Sequence, residues 1–313
     1  MKVVLPGGSG QIGAILARHF APAGHEVVVL SRAADAPPGA RGVRWDGRSL
    51  GDWVAELDGA DAVINLAGRS VDCRYTDANR RAIMDSRVES TRVLGEAIAA
   101  ASAPPRVWLQ SSTATIYAHR FDAPNDERAG IIGGDEPDAP DTWRFSIEVA
   151  RAWERTASDA PLPESTRLVL LRSAMVMSPD RGGVFDTLLR LVRLRVGGAA
   201  AGGRQYVSWV HHEDFARAAE WLIDHDDVSG PVNIAAPNPL PNRDFMRALR
   251  EAYGTRVGLP ATRLMLEAGA VLMRTETELV LKSRRVVPGL LLERGFEFEH
   301  PDWPEAARDL LTG

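Results

Sequence analysis

Seven residues near the start of the chain, Gly7-Gly8-Ser9-Gly10-Gln11-Ile12-Gly13, combine small size, backbone freedom and regular spacing. The apolar run Val3–Leu5 precedes them and reads as a strand. Helical spacing follows from Gln11 to Ala23, and Gly24 suits its stop. A strand, a glycine turn and a helix in that order make a cradle for phosphate. Glycines admit a tight turn and close backbone approach, while the helix N-terminus offers unpaired N–H groups and a positive dipole end. Gly8-x-Gly10-x-x-Gly13 matches the general dinucleotide fingerprint, and Gly7-x-x-Gly10-x-x-Gly13 matches a second spacing of the same kind. The bland alternative is a tight turn between strand and helix that holds no ligand.

The second strand, Glu26–Leu30, ends in Leu30-Ser31-Arg32. An NAD site places Asp or Glu there for the ribose 2′-hydroxyl, whereas arginine suits a 2′-phosphate. No acid stands at this strand end, so the expected cofactor is NADP(H) rather than NAD, with Ser31 and Arg32 at the adenosine ribose. The alternative is that Arg32 is a solvated loop residue. Arg87, in Asp85-Ser86-Arg87 on a long helix, is a further candidate contact for the cofactor phosphates.

The elements that must position these residues follow from the same pattern. Short β-branched runs, Val43–Asp46, Ala62–Leu66, Val107–Gln110 and Arg167–Leu171, alternate with helical patterns over Thr76–Ala101 and Trp143–Ala157. Such alternation predicts an α/β fold: a Rossmann-type, doubly wound parallel sheet with helices on both faces. The segment Arg120–Asp141 is polar and rich in Pro, Gly and Asp, and reads as a long loop. After about residue 175 helices dominate, with short strands near Gln205–Val210 and Val232–Ile234. The expected division is a nucleotide-binding domain over 1–175 and a smaller, mostly helical C-terminal domain over 176–313, with some later segments returning to the first.

Composition excludes several classes. The chain has 313 residues and a formal net charge of -5, which gives no reason to expect nucleic acid or an anionic membrane as partner. Its single cysteine, Cys73, precludes an internal disulfide or a Cys-based zinc site, and fits a reducing, cytoplasmic setting. The N-terminus lacks a signal-peptide layout. The longest apolar stretch, Leu264–Met273, is interrupted by Glu267 and is too short to span a bilayer. No metal is expected: the neighbours His211 and His212 on one strand point to opposite faces, and Glu213 and Asp214 suit a helix N-terminus. The arginines 190, 193 and 195 read as a solvated helix face, with reception of an anionic substrate as the alternative.

With the glycine turn, Asp61–Gly68 (DAVINLAG) and Ser111–Ala118 (SSTATIYA) resemble the extended short-chain dehydrogenase/reductase superfamily. Asp77–Leu94, Gly203–Ala218, Ser229–Phe245 and Val286–Phe298 narrow the resemblance to an atypical branch, the epimerase family proteins of unknown substrate with a small C-terminal domain of their own. The resemblance runs nearly end to end. It implies that Leu66, Ala67 and Gly68 lie along the adenosine side of the cofactor, and that Ser111–Thr113 end a strand beside the nicotinamide. It further implies that the Thr113 hydroxyl bonds the reacting oxygen. Backbone hydrogen bonding at a strand end is the competing account of that cluster. Homodimers are common in the superfamily.

The superfamily's acid/base device, Tyr-x-x-x-Lys on the helix after the long loop, is absent. The residues four beyond Tyr75, Tyr117, Tyr206 and Tyr253 are Asn79, Phe121, Val210 and Val257. The expected helix reads Arg144-Phe145-Ser146-Ile147-Glu148-Val149-Ala150-Arg151, and the only lysines are Lys2 and Lys282. Tyr117, Glu148 and His119 are the substitute candidates, of which Tyr117 joins Thr113 as the catalytic assignment. An unassisted tyrosine titrates too high for neutral pH unless a cation such as Arg87 or Arg144 lies near. The sequence therefore supports an NADP(H)-dependent oxidoreductase or epimerase acting on an unknown small molecule. A non-catalytic NADP(H)-binding sensor or assembly partner is the alternative.

Overall fold

The computed structural model describes residues 1–136, 139–266 and 278–312. Residues 267–273 of the apolar stretch discussed above lie outside the described residues. Among those described, no helix is long and apolar enough to cross a membrane.

Seven strands form one sheet: β1 (Lys2–Pro6), β2 (Glu26–Ser31), β3 (Arg41–Arg44), β4 (Ala62–Asn65), β5 (Val107–Thr113), β6 (Arg167–Ser173) and β10 (Gly230–Ile234). They lie in the order β10-β6-β5-β4-β1-β2-β3, and every pairing is parallel. The order reverses between β1 and β4, which opens a crevice at their carboxyl ends.

The near-continuous apolar strands exist because both sheet faces are covered. Val3, Leu5, Val27 and Val29 pack with Ile15, Leu16 and Phe20 of α1 (Gln11–Phe20) and with Phe215 and Leu222 of α5 (His212–Asp224). Val4, Val28 and Leu30 point the other way, onto Leu94 and Ile98 of α2 (Asp77–Ala100) and onto Trp108 and Ala157, the latter on α3 (Asp141–Ser158). Thr76 caps α2 by accepting from the Asn79 N–H at 3.3 Å. Helix α1 stops at Phe20, short of the expected Ala23, and Gly24, at φ +83°, turns the chain into β2.

The remaining elements are β7 (Met175–Met177), α4 (Val184–Arg193), β8 (Tyr206–Val207), β9 (Trp209–His211), β11 (Leu240–Pro241), α6 (Asn242–Tyr253), α7 (Glu278–Leu281), α8 (Gly289–Glu293) and α9 (Trp303–Thr312). A separate core joins Phe185 and Leu189 of α4, Phe245 and Leu249 of α6, and Trp303 and Leu310 of α9. Phe245 stacks on Trp303 at 4.0 Å, and the Trp303 Nε1–H donates to the Phe245 carbonyl at 2.9 Å. The stretch Gln205–Val210, which reads as one strand, is two. Tyr206–Val207 pairs antiparallel with β11, and Trp209–His211 pairs parallel with β7. At the break, the Ser208 hydroxyl donates to Arg284 O at 2.6 Å and accepts from Val286 N at 2.8 Å. A distant segment thus fixes the boundary.

Candidate nucleotide-binding site

The glycine turn joins β1 to α1 at the sheet's reversal point. Gly7 has φ +76°, and a Cβ there would stand 2.6 Å from the backbone N and Cα of Ala67. A Cβ on Gly13 would stand 1.9 Å from Gly8 O. The protein's own packing therefore requires glycine at both positions. Gly10 differs: nothing lies within 4 Å of a Cβ built there. Its exposed face, next to exposed Ser9, opens onto the crevice. Helix α1 has no side-chain cap and no acid in its first turn. The N–H groups of Gln11, Ile12 and Gly13 are thus left to whatever occupies the crevice. The Gln11 side chain lies against Gly183, and its Nε2 is buried without a hydrogen-bond partner among the described residues. Uncapped amides, an orphaned amide donor and open space over Gly10 suit a phosphate-bearing ligand.

At the end of β2 the two candidate residues part ways. Ser31 is buried and its hydroxyl donates to Asp35 O at 2.9 Å, which shapes the loop. Arg32 is exposed and makes no hydrogen bond or ion pair among the described residues. Opposite, Leu66, Ala67 and Gly68 follow β4. Leu66 N donates to Pro6 O at 2.8 Å and Ala67 N to Asn65 Oδ1 at 3.1 Å, so this turn is tied to the glycine turn. Arg87 folds in beneath Gly68. Its guanidinium donates to the carbonyls of Arg69 and Ile83 at 3.0 and 3.2 Å and lies 4.9 Å from the Trp153 ring. Burial lowers its pKa to about 10. Among the described residues no carboxylate pairs with this cation, which suits an anion bound nearby.

At the other end of the crevice, β5 delivers Ser111, Ser112 and Thr113. The Ser111 carbonyl accepts from Gln110 Nε2 at 2.9 Å. The Thr113 Oγ1 accepts from Thr115 N at 3.1 Å, which leaves its hydroxyl proton available to a ligand. Ser112 points inward and donates to Glu154 Oε1 at 2.6 Å. Glu154 forms a two-pronged pair with Arg172 at 2.8 Å on each side. Arg172 in turn donates to the Tyr117 hydroxyl at 3.1 Å, and that hydroxyl donates to Asn233 Oδ1 at 2.9 Å. Tyr117 is only 2% exposed, and burial pushes its pKa up. Its hydroxyl is thus spent inside the sheet on holding β6 and β10 together, turned away from solvent. Glu148 is exposed on α3. The His119 Nδ1 accepts from Ser283 N at 2.8 Å, and burial lowers its pKa.

Sequence reasoning passed over several residues that the structure brings to this end. Lys282 donates to Thr115 O at 2.7 Å, and Arg284 Nε donates to Thr115 Oγ1 at 3.2 Å. Ser146 donates to Glu278 Oε2 at 2.5 Å and lies 3.3 Å from the Tyr75 hydroxyl. The single hint was that one of only two lysines sits in the C-terminal part of the chain.

A second cluster lies elsewhere. His211, His300 and Asp309 each offer one ligand atom, all within 4.8 Å of one another. The His211 Nδ1 accepts from Glu213 N at 3.3 Å and so caps α5, which puts its proton on Nε2, facing Asp309 at 3.3 Å. A metal needs that nitrogen bare, so the geometry describes a helix cap with an acidic neighbour. Burial, helped by His212 and His300, lowers the His211 pKa to about 3. The unfolded chain would bind this proton below about pH 6.5 while the fold excludes it, so stability falls as pH drops from there toward 3. Between pH 7 and 4.5 this residue is expected to contribute a loss of about 2.5 kcal/mol. His211→Asn keeps a capping oxygen, and urea unfolding of both proteins at the two pH values should show a shallower acid loss in the variant. Equal losses would reject the assignment.

The parallel order 3-2-1-4-5-6 with an added seventh strand, a glycine turn at the reversal point and an uncapped α1 define a Rossmann-type nucleotide-binding protein. Comparison with known proteins is consistent with that class. The model of the NAD dependent epimerase/dehydratase family matches residues 3–235, and the chain belongs to that family. A domain of unknown function, DUF1731, matches residues 261–310. The human epimerase family protein SDR39U1 is 29% identical over the whole of both chains. The Mycobacterium tuberculosis epimerase family protein MT2273 is 32% identical, covering 97% of this chain and 95% of that one. The crystal structure of human SDR39U1 (isoform 2) with NADPH superposes with a TM-score of 0.85 over 100% of each chain. A Bacillus cereus UDP-N-acetylglucosamine 4-epimerase, 17% identical, shares the fold at a TM-score of 0.75 over 100% of this chain and 96% of that one.

Proposed function

We propose that the protein binds NADP(H) along the carboxyl edge of the sheet and acts as an oxidoreductase or epimerase on a small carbonyl or alcohol substrate. The observation that carries the cofactor is Arg32, an exposed guanidinium with no partner among the described residues, at the end of β2, where an acid would select NAD. The human relative crystallised with NADPH supports the same reading. The pyrophosphate is assigned to the amides of Gln11–Gly13 and the Gln11 side chain. Arg32 takes the 2′-phosphate, and Arg87 sits beneath the Gly68 turn on the adenosine side. When bound, the dinucleotide supplies hydride exchange, and Thr113 orients the reacting oxygen beside it.

Calorimetric titration with NADPH and NADH tests this. Arg32→Ala is expected to weaken NADPH binding about 10- to 100-fold and to leave NADH binding unchanged, because only the phosphate contact is removed. Equal loss for both dinucleotides would remove Arg32 from the 2′-phosphate. A second reading, a cofactor-binding sensor without turnover, rests on α3 carrying neither a tyrosine nor a lysine. It predicts tight NADPH binding without oxidation of NADPH by any member of a panel of aldehydes, ketones and quinones.

A further inference from the structure

We propose that the C-terminal segment and the loop before α2 together supply the proton-transfer group that α3 lacks: Tyr75 exchanges the proton with the substrate oxygen, and Lys282 is a positioning residue acting through Glu278 and Ser146. This rests on the cofactor reading above.

The four groups form a chain. The Tyr75 hydroxyl lies 3.3 Å from the Ser146 hydroxyl, which donates to Glu278 Oε2 at 2.5 Å. Glu278 Oε1 lies 3.9 Å from Lys282 Nζ, which donates to Thr115 O at 2.7 Å. Thr115 is two residues beyond Thr113, so the chain ends at the β5 terminus that carries the candidate hydroxyl. Tyr75 and Ser146 are half-exposed, while Glu278 and Lys282 are buried, so the order of exposure runs from solvent inward. The usual lysine places a cation beside its tyrosine. Here the guanidinium groups of Arg87 and Arg284 lie within electrostatic reach of Tyr75.

The step balances. In reduction of a carbonyl, the dinucleotide is oxidised as its hydride forms a C–H bond at the carbonyl carbon, and the C=O π pair becomes the alkoxide's. The Tyr75 O–H bond breaks as the alcohol O–H bond forms. The proton lost by Tyr75, which is half-exposed, is replaced from water, while Lys282 and Glu278 hold Ser146 and through it the Tyr75 hydroxyl. Burial, opposed by Glu278, lowers the Lys282 pKa to about 8, so its charge responds near neutrality to changes in the groups it holds. Arg284, and Glu136 and His119 from the loop after β5, also face it.

The rarity of lysine makes a direct test simple. Protein labelled with ¹⁵N only at lysine Nζ gives two side-chain signals, Lys2 and Lys282, and Lys2 lies at the opposite end of β1 from the crevice. The Lys282 signal should titrate near pH 8 in the apo protein. NADP⁺ binding, and separately Tyr75→Phe, should each move that midpoint by about 0.5 unit or more, while Lys2 stays fixed. Calorimetry on the same samples reports cofactor binding. A binding heat with a Lys282 midpoint indifferent to both NADP⁺ and Tyr75→Phe would mean that Lys282 is uncoupled from Tyr75 and would overturn the proposal. Absence of a binding heat would instead reject the cofactor reading on which the proposal rests.

Discussion

Gly13→Ala is expected to abolish NADPH binding and to lower stability by about 3 kcal/mol. The added methyl would stand 1.9 Å from Gly8 O and 2.4 Å from Gly8 C, and both are backbone atoms that no rotamer change can move. Relief requires α1 to withdraw from β1, which opens the core at Ile15 and Leu16 and rotates the N-terminal amides off the phosphate position. Gly10→Ala is the matched control. Its methyl meets nothing within 4 Å, so the variant should melt like the parent yet bind NADPH at least about tenfold more weakly, because the methyl fills ligand space. Urea unfolding and NADPH calorimetry on the pair separate fold from site. A Gly13→Ala protein that binds as well as the parent would show that the close approach of helix and strand is dispensable.

Arg172→Leu should be the costliest single change away from the crevice, about 3–5 kcal/mol. Arg172 and Glu154 are both buried, at 8% and 9% exposure, and among the described residues the variant leaves the carboxylate with only Ser112 as partner. Arg172→Leu combined with Glu154→Leu should recover most of the loss, since it removes the unpaired charge together with its desolvation. Tyr117→Phe should cost only about 1–2 kcal/mol, for hydrogen bonds lost to Arg172 and Asn233, and should leave NADPH affinity unchanged. Denaturation midpoints of the four proteins check the ordering. An unchanged midpoint in Arg172→Leu would mean that the pair contributes nothing net.

The core of the fold was readable because its signals are local. Val3–Leu5, Val27–Leu30 and Ala62–Ile64 are apolar on both faces, and the glycine turn sits between a strand and a helix at the right distance, so the parallel sheet and the cradle follow from short windows of sequence. What was not readable depends on partners far along the chain. The break at Ser208 is set by Arg284 and Val286, and the pairing of β9 is set by Met175–Met177. The contact between Lys282 and Thr115 spans 167 positions, so no spacing rule reaches it. Tyr117 shows a different limit. Its residue type and its place four after Thr113 suggest chemistry, but only the fold shows its hydroxyl directed into a buried ion pair.

The seventh strand has a consequence for how the polypeptide is made. β6 ends at Ser173, but its outer neighbour β10 begins only at Gly230, after α4, β9 and α5 have been laid down. On the ribosome, the nascent sheet therefore waits with a hydrophobic border strand, Arg167–Ser173, whose outward amides and carbonyls have nothing to bond. Such borders recruit one another when chains are crowded. Release of residues 230–234 closes that border and brings Asn233 to Tyr117 in the same event. A nascent chain stalled before that point should be bound by holdase chaperones and cut readily by protease, and one stalled well beyond it should resist both.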